Sequence, residues 1–217
     1  MMLRLLPVLL LAATPALADE ILWDRYGVPH IEASSEVGAF KGFGWAQAAS
    51  HGNILLRMYG ESRARAAEYW GAEYAPLDRY LIAHDAPERA RAWYKAQTPQ
   101  MRANLDGFAA GINAYIAAHP DHVPAELKRV LPITGVDVMA HAHRLMQFLY
   151  VAPMGRMLSP PAKPGPTGLG DDGGSNGWAV GPSRSASGAA MLLANPHLPW
   201  VPSPLTYYEA QITAPGY

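Results

Sequence analysis

Apolar residues recur at helical spacing through much of the first part of the chain. The clearest stripe consists of Met101, Leu105, Phe108, Ile112 and Tyr115, at steps of four, three, four and three residues. Thr98 followed by Pro99 supplies an N-cap and a first-turn proline, and the His119-Pro120 pair ends the segment. The pattern predicts an amphipathic helix between these signals, with the stripe in the hydrophobic core.

Helical patterns continue on both sides of this segment. The Ser34-Ser35 pair can cap a helix that runs toward Ser50, although the glycines within it require close packing or a bend. A second helix is predicted over 53–70, and Thr134 with Asp137 resembles a capping arrangement that opens a further helix. Most of this region is therefore predicted to be helical.

Strand patterns lie toward the two ends of the chain. Residues 21–23 and 28–33 predict two short strands around a turn, with Pro29 marking a sheet edge. Further strands are predicted over 178–181, 189–194 and 205–213. Three such strands with an open edge make a poor sheet by themselves.

The first eighteen residues are typical of a secretory signal peptide. Arg4 precedes the apolar run 5–13, and PALA over 15–18 gives a small-x-small ending. The run is too short to span a bilayer of ~30 Å, which needs about 20 residues. We expect the mature chain to begin near Asp19 in a periplasmic or secreted protein, with an uncleaved anchor as the alternative.

Four parts of the chain are predicted. Residues 1–18 form the signal peptide, 19–158 the helical region, 159–174 a linker rich in proline and glycine, and 175–217 a strand-rich part. The character of the chain therefore changes at the end of the linker, where Ser175 stands.

The amino-acid composition excludes several classes of function. Of 217 residues, 50% are hydrophobic and 16% are charged, which is typical of a globular protein. The net charge of −1 and the lack of long basic runs argue against a nucleic-acid partner. Because the chain has no cysteine, disulfides, thiolate zinc sites and cysteine nucleophiles are excluded, so any nucleophile must carry oxygen or nitrogen.

Ser175 first suggests a nucleophile elbow. GGSNG over 173–177 matches G-x-S-x-G, the elbow motif of α/β-hydrolases. An elbow needs a strand before the serine and a helix after it, whereas a linker precedes Ser175 and a helix-averse run follows. No Asp or Glu lies between Ser175 and His197, where those enzymes place an acid. The elbow interpretation is therefore disfavoured.

Ser175 fits a different chemistry if the Gly174–Ser175 bond is cut. The serine then becomes a chain terminus, and its own α-amino group can act as the base for its hydroxyl. Such a group has a reference pKa of about 7.7 to 8.0, so a useful fraction is unprotonated at neutral pH. Gly174 permits the sharp bend that presents its carbonyl to the hydroxyl. The alternative is an ordinary loop serine.

At these residues the sequence resembles the penicillin acylase family of N-terminal-nucleophile (Ntn) hydrolases, which includes the acyl-homoserine lactone acylases. The resemblance is carried by SNGWAVG after GDDGG, by WDRYGVPHIEA, and by GFGWAQAASHGNILLRMYGESRARAAEYWG. It implies an α+β fold, the Ntn-hydrolase αββα sandwich, present in part as a helical α chain and the first strands of a β chain. It also implies that 159–174 is a spacer propeptide and that 175–217 starts the β chain after autocleavage between Gly174 and Ser175.

The resemblance implies site residues one by one. Ser175 matches the nucleophile, and His197 matches the residue that orients the serine and its amine and helps to hold the oxyanion. Leu198 matches a position that lines the acyl pocket. Met146 and Tyr150 lie near the end of the α chain, which relatives use for this pocket, although core packing explains both equally well.

The chain also departs from the family. Relatives continue for several hundred residues and carry there a second oxyanion-hole amide, an asparagine and an arginine, so this chain is expected to be truncated and inactive alone. At 50–53, SHGN stands where relatives usually carry an acidic residue. No cofactor is expected in the chemistry. A structural calcium ion is common in the family, but its ligands are not assignable, and His141 and His143 point to different helix faces and do not suggest a metal pair.

Two classes of function remain. The first is a secreted amidohydrolase precursor that cleaves small-molecule N-acyl amides, of the acyl-homoserine lactone or penicillin type, through an N-terminal serine acyl-enzyme. Its only protein partners would be the α and β chains of one precursor, without nucleic acid and without a membrane after signal cleavage. The second is a non-catalytic product, either a truncated remnant or a small helical periplasmic binding protein.

Overall fold

Two antiparallel strands open the described part of the chain, and six α helices follow them. The computed structural model describes residues 19–147, 175–197 and 207–216. The strands are β1 (Glu20–Trp23), β2 (Pro29–Glu32), β3 (Ser175–Val180), β4 (Met191–Pro196) and β5 (Gln211–Thr213). The helices are α1 (Glu36–Ser62), α2 (Ala66–Trp70), α3 (Ala75–Ala83), α4 (Ala86–Ala96), α5 (Pro99–Ala118) and α6 (Gly135–Met146). None of these described helices has an apolar stretch long enough to cross a lipid bilayer.

Helices α1 and α5 lie against each other at the centre of the helical part. Their backbones approach closely: a Cβ at Gly44 would lie 2.0 Å from the carbonyl oxygen of Phe108, and a Cβ at Gly111 would lie 2.0 Å from that of Lys41. A larger residue at either glycine would force the helices apart, because the obstacle is backbone. Gly44, which weakens α1 as an isolated helix, is therefore required by its packing.

The predicted stripe of α5 forms the core except at its first residue. Its buried members are Leu105, Phe108, Ile112 and Tyr115. The Thr98 side chain caps the helix by accepting from the Met101 backbone N–H at 3.1 Å. Met101 itself is 38% exposed, so its predicted place in the core is wrong. Because Glu36 in the first turn of α1 meets Asn104, the first turn of α5, which carries Met101, extends beyond the start of α1.

The helix boundaries predicted around residue 50 are wrong. α1 starts after the predicted Ser35 cap, but it continues to Ser62 with only a kink at His51. The helix predicted over 53–70 is then interrupted, because Ala64 adopts a left-handed φ of 56°, and helical structure resumes as α2. Two further helices, α3 and α4, were not predicted from the sequence pattern.

The five described strands form two sheets. One has the order β1-β2-β5, and the other pairs β3 with β4. The strands predicted after the linker therefore do not form one sheet: β5 adds instead to β2, in parallel, with Ile212 opposite Ile31. Pro29 does not mark a sheet edge, because β2 is the central strand. It is tolerated as the first residue of β2, before the pairing with β5 begins at His30.

The partly buried Arg63 links the end of α1 to the start of α6. Thr134 and Asp137 form the predicted capping box, with Thr134 donating to the carboxylate from its backbone N–H at 2.7 Å and from its hydroxyl at 2.8 Å. The same carboxylate accepts from Arg63 Nε at 2.6 Å and Nη2 at 2.8 Å, and Arg63 also donates to the carbonyls of Val130 and Pro132. Burial is the largest single effect and opposes the charge, but the hydrogen bonds and charges of Asp137 and Tyr69 together outweigh it and raise the pKa of Arg63.

Candidate active site

Strands β3 and β4 form an antiparallel hairpin that carries both predicted catalytic residues at one end. Ser175 is the first residue of β3 and lies opposite Pro196, the last residue of β4. His197 follows Pro196 directly in the chain. Ser175 and His197 are thus brought to the same end of the hairpin by strand pairing alone.

The turn at the other end of the hairpin explains why the two strands pair in this register. Pro182–Arg184 form a short 3₁₀ turn, and the Ser185 and Ser187 hydroxyl oxygens lie 2.8 Å apart. Gly188 has a φ of 71°, in the left-handed region that glycine adopts without steric cost. Together they reverse the chain between Val180 and Met191, which lie opposite each other.

Alternation along the strands divides the hairpin residues between two faces. One face carries the cross-strand pairs Asn176 and Asn195, Trp178 and Leu193, and Val180 and Met191. The other face carries the pairs Ser175 and Pro196, Gly177 and Ala194, and Ala179 and Leu192. The large side chains are therefore concentrated on the face opposite to Ser175, whereas most residues of the serine face are small.

His197 is held by the asparagine pair. Its Nε2 lies 3.2 Å from Asn176 Nδ2 and 3.3 Å from Asn195 Nδ2. An amide nitrogen is only a donor, so Nε2 accepts from both, and the neutral imidazole then carries its proton on Nδ1. Within the described hairpin no hydrogen bond joins Ser175 to His197. The ring is oriented by Asn176 and Asn195, two residues to which the sequence reasoning gave no catalytic role.

The remaining predicted site residues are only partly placed. Gly174, Tyr150 and Leu198 lie outside the described residues. Met146 is the last residue of α6, and its side chain is 54% exposed. That Met146 lines a substrate pocket therefore stays a prediction. Core packing does not account for this residue, because its side chain is exposed.

A second serine–histidine contact lies in the helical part, but its geometry is not catalytic. Ser62 Oγ lies 3.4 Å from His141 Nδ1, whereas the hydroxyl donates to the carbonyl oxygen of Met58 at 2.6 Å. Ser62 is only 1% exposed, so a substrate cannot reach it. Burial, together with the Arg144 charge, lowers the pKa of His141 to about 4. This contact therefore belongs to the packing of α1 against α6.

The histidines of α6 do not form a metal pair. As predicted, His141 and His143 face different helices: the His141 ring lies 5.8 Å from that of Tyr59 in α1, and the His143 ring lies 4.8 Å from that of Trp93 in α4. Among residues 19–147, 175–197 and 207–216, no group of three or more histidines or carboxylates could hold a metal ion. The calcium ion that the resemblance implies therefore stays a prediction.

A helical region followed by a strand that opens on a serine is the arrangement that the resemblance implies for N-terminal-nucleophile hydrolases. The Penicillin amidase family model matches residues 19–217. The chain belongs to this family.

Several relatives of the chain are acylases. The chain is 34% identical, over 94% of its length, to the acyl-homoserine lactone acylase PvdQ of Pseudomonas putida. It is 29% identical, over 91% of its length, to the PvdQ of Pseudomonas fluorescens, and 26% identical, over 80%, to the penicillin acylase 2 proenzyme of a Pseudomonas species. The chain spans about 30% of the length of these relatives.

Structural similarity supports the same fold. A thermostable penicillin G acylase from Alcaligenes faecalis matches with a TM-score of 0.51 and 21% sequence identity, over 69% of this chain and 98% of the matched chain. The predicted fold class, α+β with part of the Ntn-hydrolase domain, is thereby confirmed.

Proposed function

We propose that this chain belongs to an exported amidohydrolase precursor that cuts itself between Gly174 and Ser175 and then uses Ser175 as an N-terminal nucleophile. The observation that carries the proposal is the hairpin: Ser175 opens β3, directly opposite the strand end that presents His197. The family membership supports the same assignment. The apolar run after Arg4 supports export.

The first step of the proposed chemistry is the cut itself. The Ser175 hydroxyl attacks the carbonyl carbon of Gly174, and the C–N bond of that peptide breaks as the acyl group moves to the serine oxygen. The serine nitrogen takes a proton and becomes an amine. Water then hydrolyses the ester, which leaves a carboxylate on Gly174 and a free hydroxyl and a free α-amino group on Ser175.

The second step uses that amine as a base. It accepts the hydroxyl proton while the serine oxygen attacks the carbonyl carbon of an N-acyl amide, and the leaving amine takes a proton as the amide bond breaks. Water hydrolyses the resulting ester and releases the acid. Because Ser175 is exposed, solvent water can reach both the base and the ester.

His197 contributes as a positioning group in this proposal. Asn176 and Asn195 occupy its Nε2, so Nδ1–H is the ring donor that these two residues leave unused. We assign to this donor the roles that the resemblance implies, which are to orient the serine and to stabilise negative charge that develops on the attacked carbonyl oxygen.

The substrate class follows from the relatives. Acyl-homoserine lactone acylases and a penicillin acylase proenzyme match the chain over 80–94% of its length, so we propose small-molecule N-acyl amides of these two types as substrates. Both types share an acyl group on an amine next to a ring carbonyl.

Intact-mass analysis of the expressed chain tests the proposal. Two fragments should form, with N-terminal sequencing of the second giving Ser-Asn-Gly-Trp, and Ser175→Ala should abolish the cut completely. Ser187→Ala is the matched control, because that serine lies in the turn at the other end of the hairpin. A single uncut wild-type species, or a cut that survives Ser175→Ala, would contradict the mechanism and favour a non-catalytic product.

A further inference from the structure

Two histidines, His119 and His122, lie where α5 ends and a short 3₁₀ turn, Pro120–His122, follows it. The His122 backbone N–H donates to the His119 carbonyl oxygen at 3.1 Å. Side chains three residues apart are eclipsed in such a turn, so the two rings lie one above the other. Their centroids are 5.0 Å apart, and their planes differ by 30°. These two side chains are called here the histidine pair.

The first ring of the histidine pair is oriented by Tyr115 in α5. His119 Nδ1 lies 3.1 Å from the Tyr115 carbonyl oxygen, and the two rings are stacked with their centroids 4.4 Å apart. A carbonyl oxygen can only accept a hydrogen bond, so His119 Nδ1 carries the proton. The Nε2 of the neutral ring then has a free lone pair, as a metal ligand requires.

The second ring is oriented by the same tyrosine. His122 Nδ1 lies 2.6 Å from the Tyr115 hydroxyl oxygen. A hydroxyl can donate or accept, and when His122 Nδ1–H donates to it, His122 Nε2 also has a free lone pair. Within the described ranges, neither Nε2 has a hydrogen-bond partner. One fixed ring nitrogen and one unused ring nitrogen are the usual arrangement of histidines that bind metals.

The histidine pair is anchored on both sides by buried residues. Tyr115 is 6% exposed, and its ring meets that of Trp45 in α1 edge-on, with the centroids 5.3 Å apart. Val123, which directly follows His122, is buried in the core formed around α1 and α5. His122 itself is exposed and His119 is half-buried, so an ion can reach both from solvent. Because its rings are already oriented, the pair loses little freedom when it binds a ligand.

The groups around the histidine pair indicate which class of ion it suits. Asp121, between the two histidines in the chain, is exposed, and Lys128 donates from Nζ to the Pro120 carbonyl oxygen at 2.9 Å. A negative and a positive side chain thus accompany the turn. The nitrogens that the pair offers are neutral imidazole donors, which suit zinc, copper and nickel, whereas calcium and magnesium prefer oxygen ligands.

We infer that the histidine pair is a binding site for a divalent transition-metal ion of the zinc and copper class, with His119 Nε2 and His122 Nε2 as its ligands. Water completes the coordination, because no third histidine or carboxylate of the described residues joins the pair. Tyr115 is a positioning residue, since its carbonyl and its hydroxyl fix the two rings. The site does not depend on the proposed cut, because all three residues lie in the helical part of the chain.

Titration of the full-length, untagged chain with Cu²⁺ alone tests the site. The titration is made at about pH 7.5, where imidazole in model peptides is mostly unprotonated. The tightest step should correspond to one ion per chain, with an electron paramagnetic resonance (EPR) spectrum that shows two imidazole nitrogens. Because the Trp45 ring lies 5.9 Å from that of His119, bound Cu²⁺ should quench its fluorescence, and Trp45→Phe should remove that part of the quenching.

Single substitutions separate the histidine pair from the other histidines. His119→Gln and His122→Gln should each weaken Cu²⁺ binding by about tenfold or more, since the second contact of a chelate forms at a high effective concentration. The EPR spectrum of either variant should show one nitrogen fewer. His84→Gln is the matched control and should leave binding unchanged. His84 Nδ1 also lies 2.8 Å from a carbonyl oxygen, that of Tyr80, on which its ring stacks, but no second histidine stacks on it within the described ranges.

Tyr115→Phe tests the positioning role. The phenyl ring keeps the stacking but lacks the hydroxyl that holds His122 Nδ1, so the affinity for Cu²⁺ should fall by about tenfold. The EPR spectrum should still show two nitrogens, because both ligands remain. Far-UV circular dichroism of the metal-free variants should match that of the unmutated chain, which separates a loss of binding from a loss of folding.

Three results would each overturn the metal site: no saturable binding to the unmutated chain, a single nitrogen ligand in its EPR spectrum, or equal affinities of His119→Gln and His84→Gln. Full affinity in Tyr115→Phe would overturn the positioning role. Ser175→Ala should bind Cu²⁺ as the unmutated chain does. Failure of the native chain to cut itself would therefore overturn the proposed function alone.

Discussion

At the scale of single residues, buried ionisable groups between α1 and α6 depend on one another. Glu61 and Arg144 form an ion pair whose side chains are 16% and 10% exposed. Burial raises the pKa of Glu61 and lowers that of Arg144, and each charge opposes the shift of the other. His141 precedes Arg144 by almost one helical turn, so burial and a positive neighbour both favour its neutral form.

The neutral His141 makes stability depend on pH. In the unfolded chain the imidazole takes up a proton near 6.5, whereas in the folded chain its pKa is about 4. Below 6.5 the unfolded state therefore binds more protons, and the free energy of unfolding should fall by about 1.4 kcal/mol per pH unit down to that lower value. Above 6.5 this contribution is complete, and His141 adds no further pH dependence.

Urea denaturation followed by circular dichroism across this pH range measures the slope. His141→Gln should reduce it by about 1.4 kcal/mol per pH unit, because glutamine does not titrate. His143, whose pKa is also lowered by burial, keeps part of the slope in the variant. Ile82→Gln, at an exposed position on α3 and without loss of a titratable group, serves as the control and should leave the slope unchanged. An unchanged slope in His141→Gln would contradict the assignment.

At the scale of elements, the sequence predicted features that depend on neighbouring residues, but it did not predict contacts between residues far apart in the chain. The caps of α5 and α6 and the presence of two hairpin strands depend on neighbouring residues and are confirmed. The bounds predicted for those strands are wrong, because β3 starts three residues earlier than predicted and β4 starts two residues later. α4 was missed because its sequence APERARAWYKA carries few apolar residues in a periodic pattern. The partner of β5 lies at a separation of 181 residues, and no local pattern identifies it.

In the candidate site, too, the sequence predicted one part and missed another. Antiparallel pairing of two predicted strands is enough to bring Ser175 near His197, because the register follows from the turn. The contacts of Asn176 and Asn195 with the imidazole depend on these residues being cross-strand partners on one face, which the strand boundaries alone do not reveal. The Asn-Pro-His sequence at the end of β4 and the Ser-Asn start of β3 were the available signal.

The asparagine contacts predict a specific tautomer for His197. Nitrogen-15 NMR of the full chain should show Nδ1–H and an unprotonated Nε2 at neutral pH. Replacing both residues, by Asn176→Ala and Asn195→Ala, should shift the population to the Nε2–H form, since the two donors that each contribute about 1 kcal/mol are lost. Ser185→Ala, at the turn, is the control. A wild-type Nε2–H signal would contradict the hydrogen-bond assignment.

At the scale of the whole molecule, a packed helical part is combined with an exposed hairpin. Trp178, Val180, Met191 and Leu193 share one face and are 54%, 36%, 57% and 58% exposed. In the described part of the chain this face has no element packed over it. Contiguous apolar surface beside open strand edges favours association between molecules.

We therefore expect the purified chain to self-associate through this face. The double substitution Met191→Lys and Leu193→Lys should raise the monomer fraction in size-exclusion chromatography with light scattering, because two charges then lie in the contact surface. Ile82→Lys is the matched control: Ile82 is 58% exposed on α3, where it does not belong to this face. Equal monomer fractions in the two variants would show that the hairpin face is not the contact.

The pairing of β2 with β5 can form only after β5 has been translated. Glu32 meets Thr213, which is made 181 residues later. At about 5–20 residues per second, a ribosome needs roughly 10 to 35 s to cover that distance. During this interval one edge of β2 in the nascent chain lacks its final partner strand. The chain is therefore most prone to misassembly before β5 has been translated. Faster translation would shorten this interval, and slower translation would lengthen it.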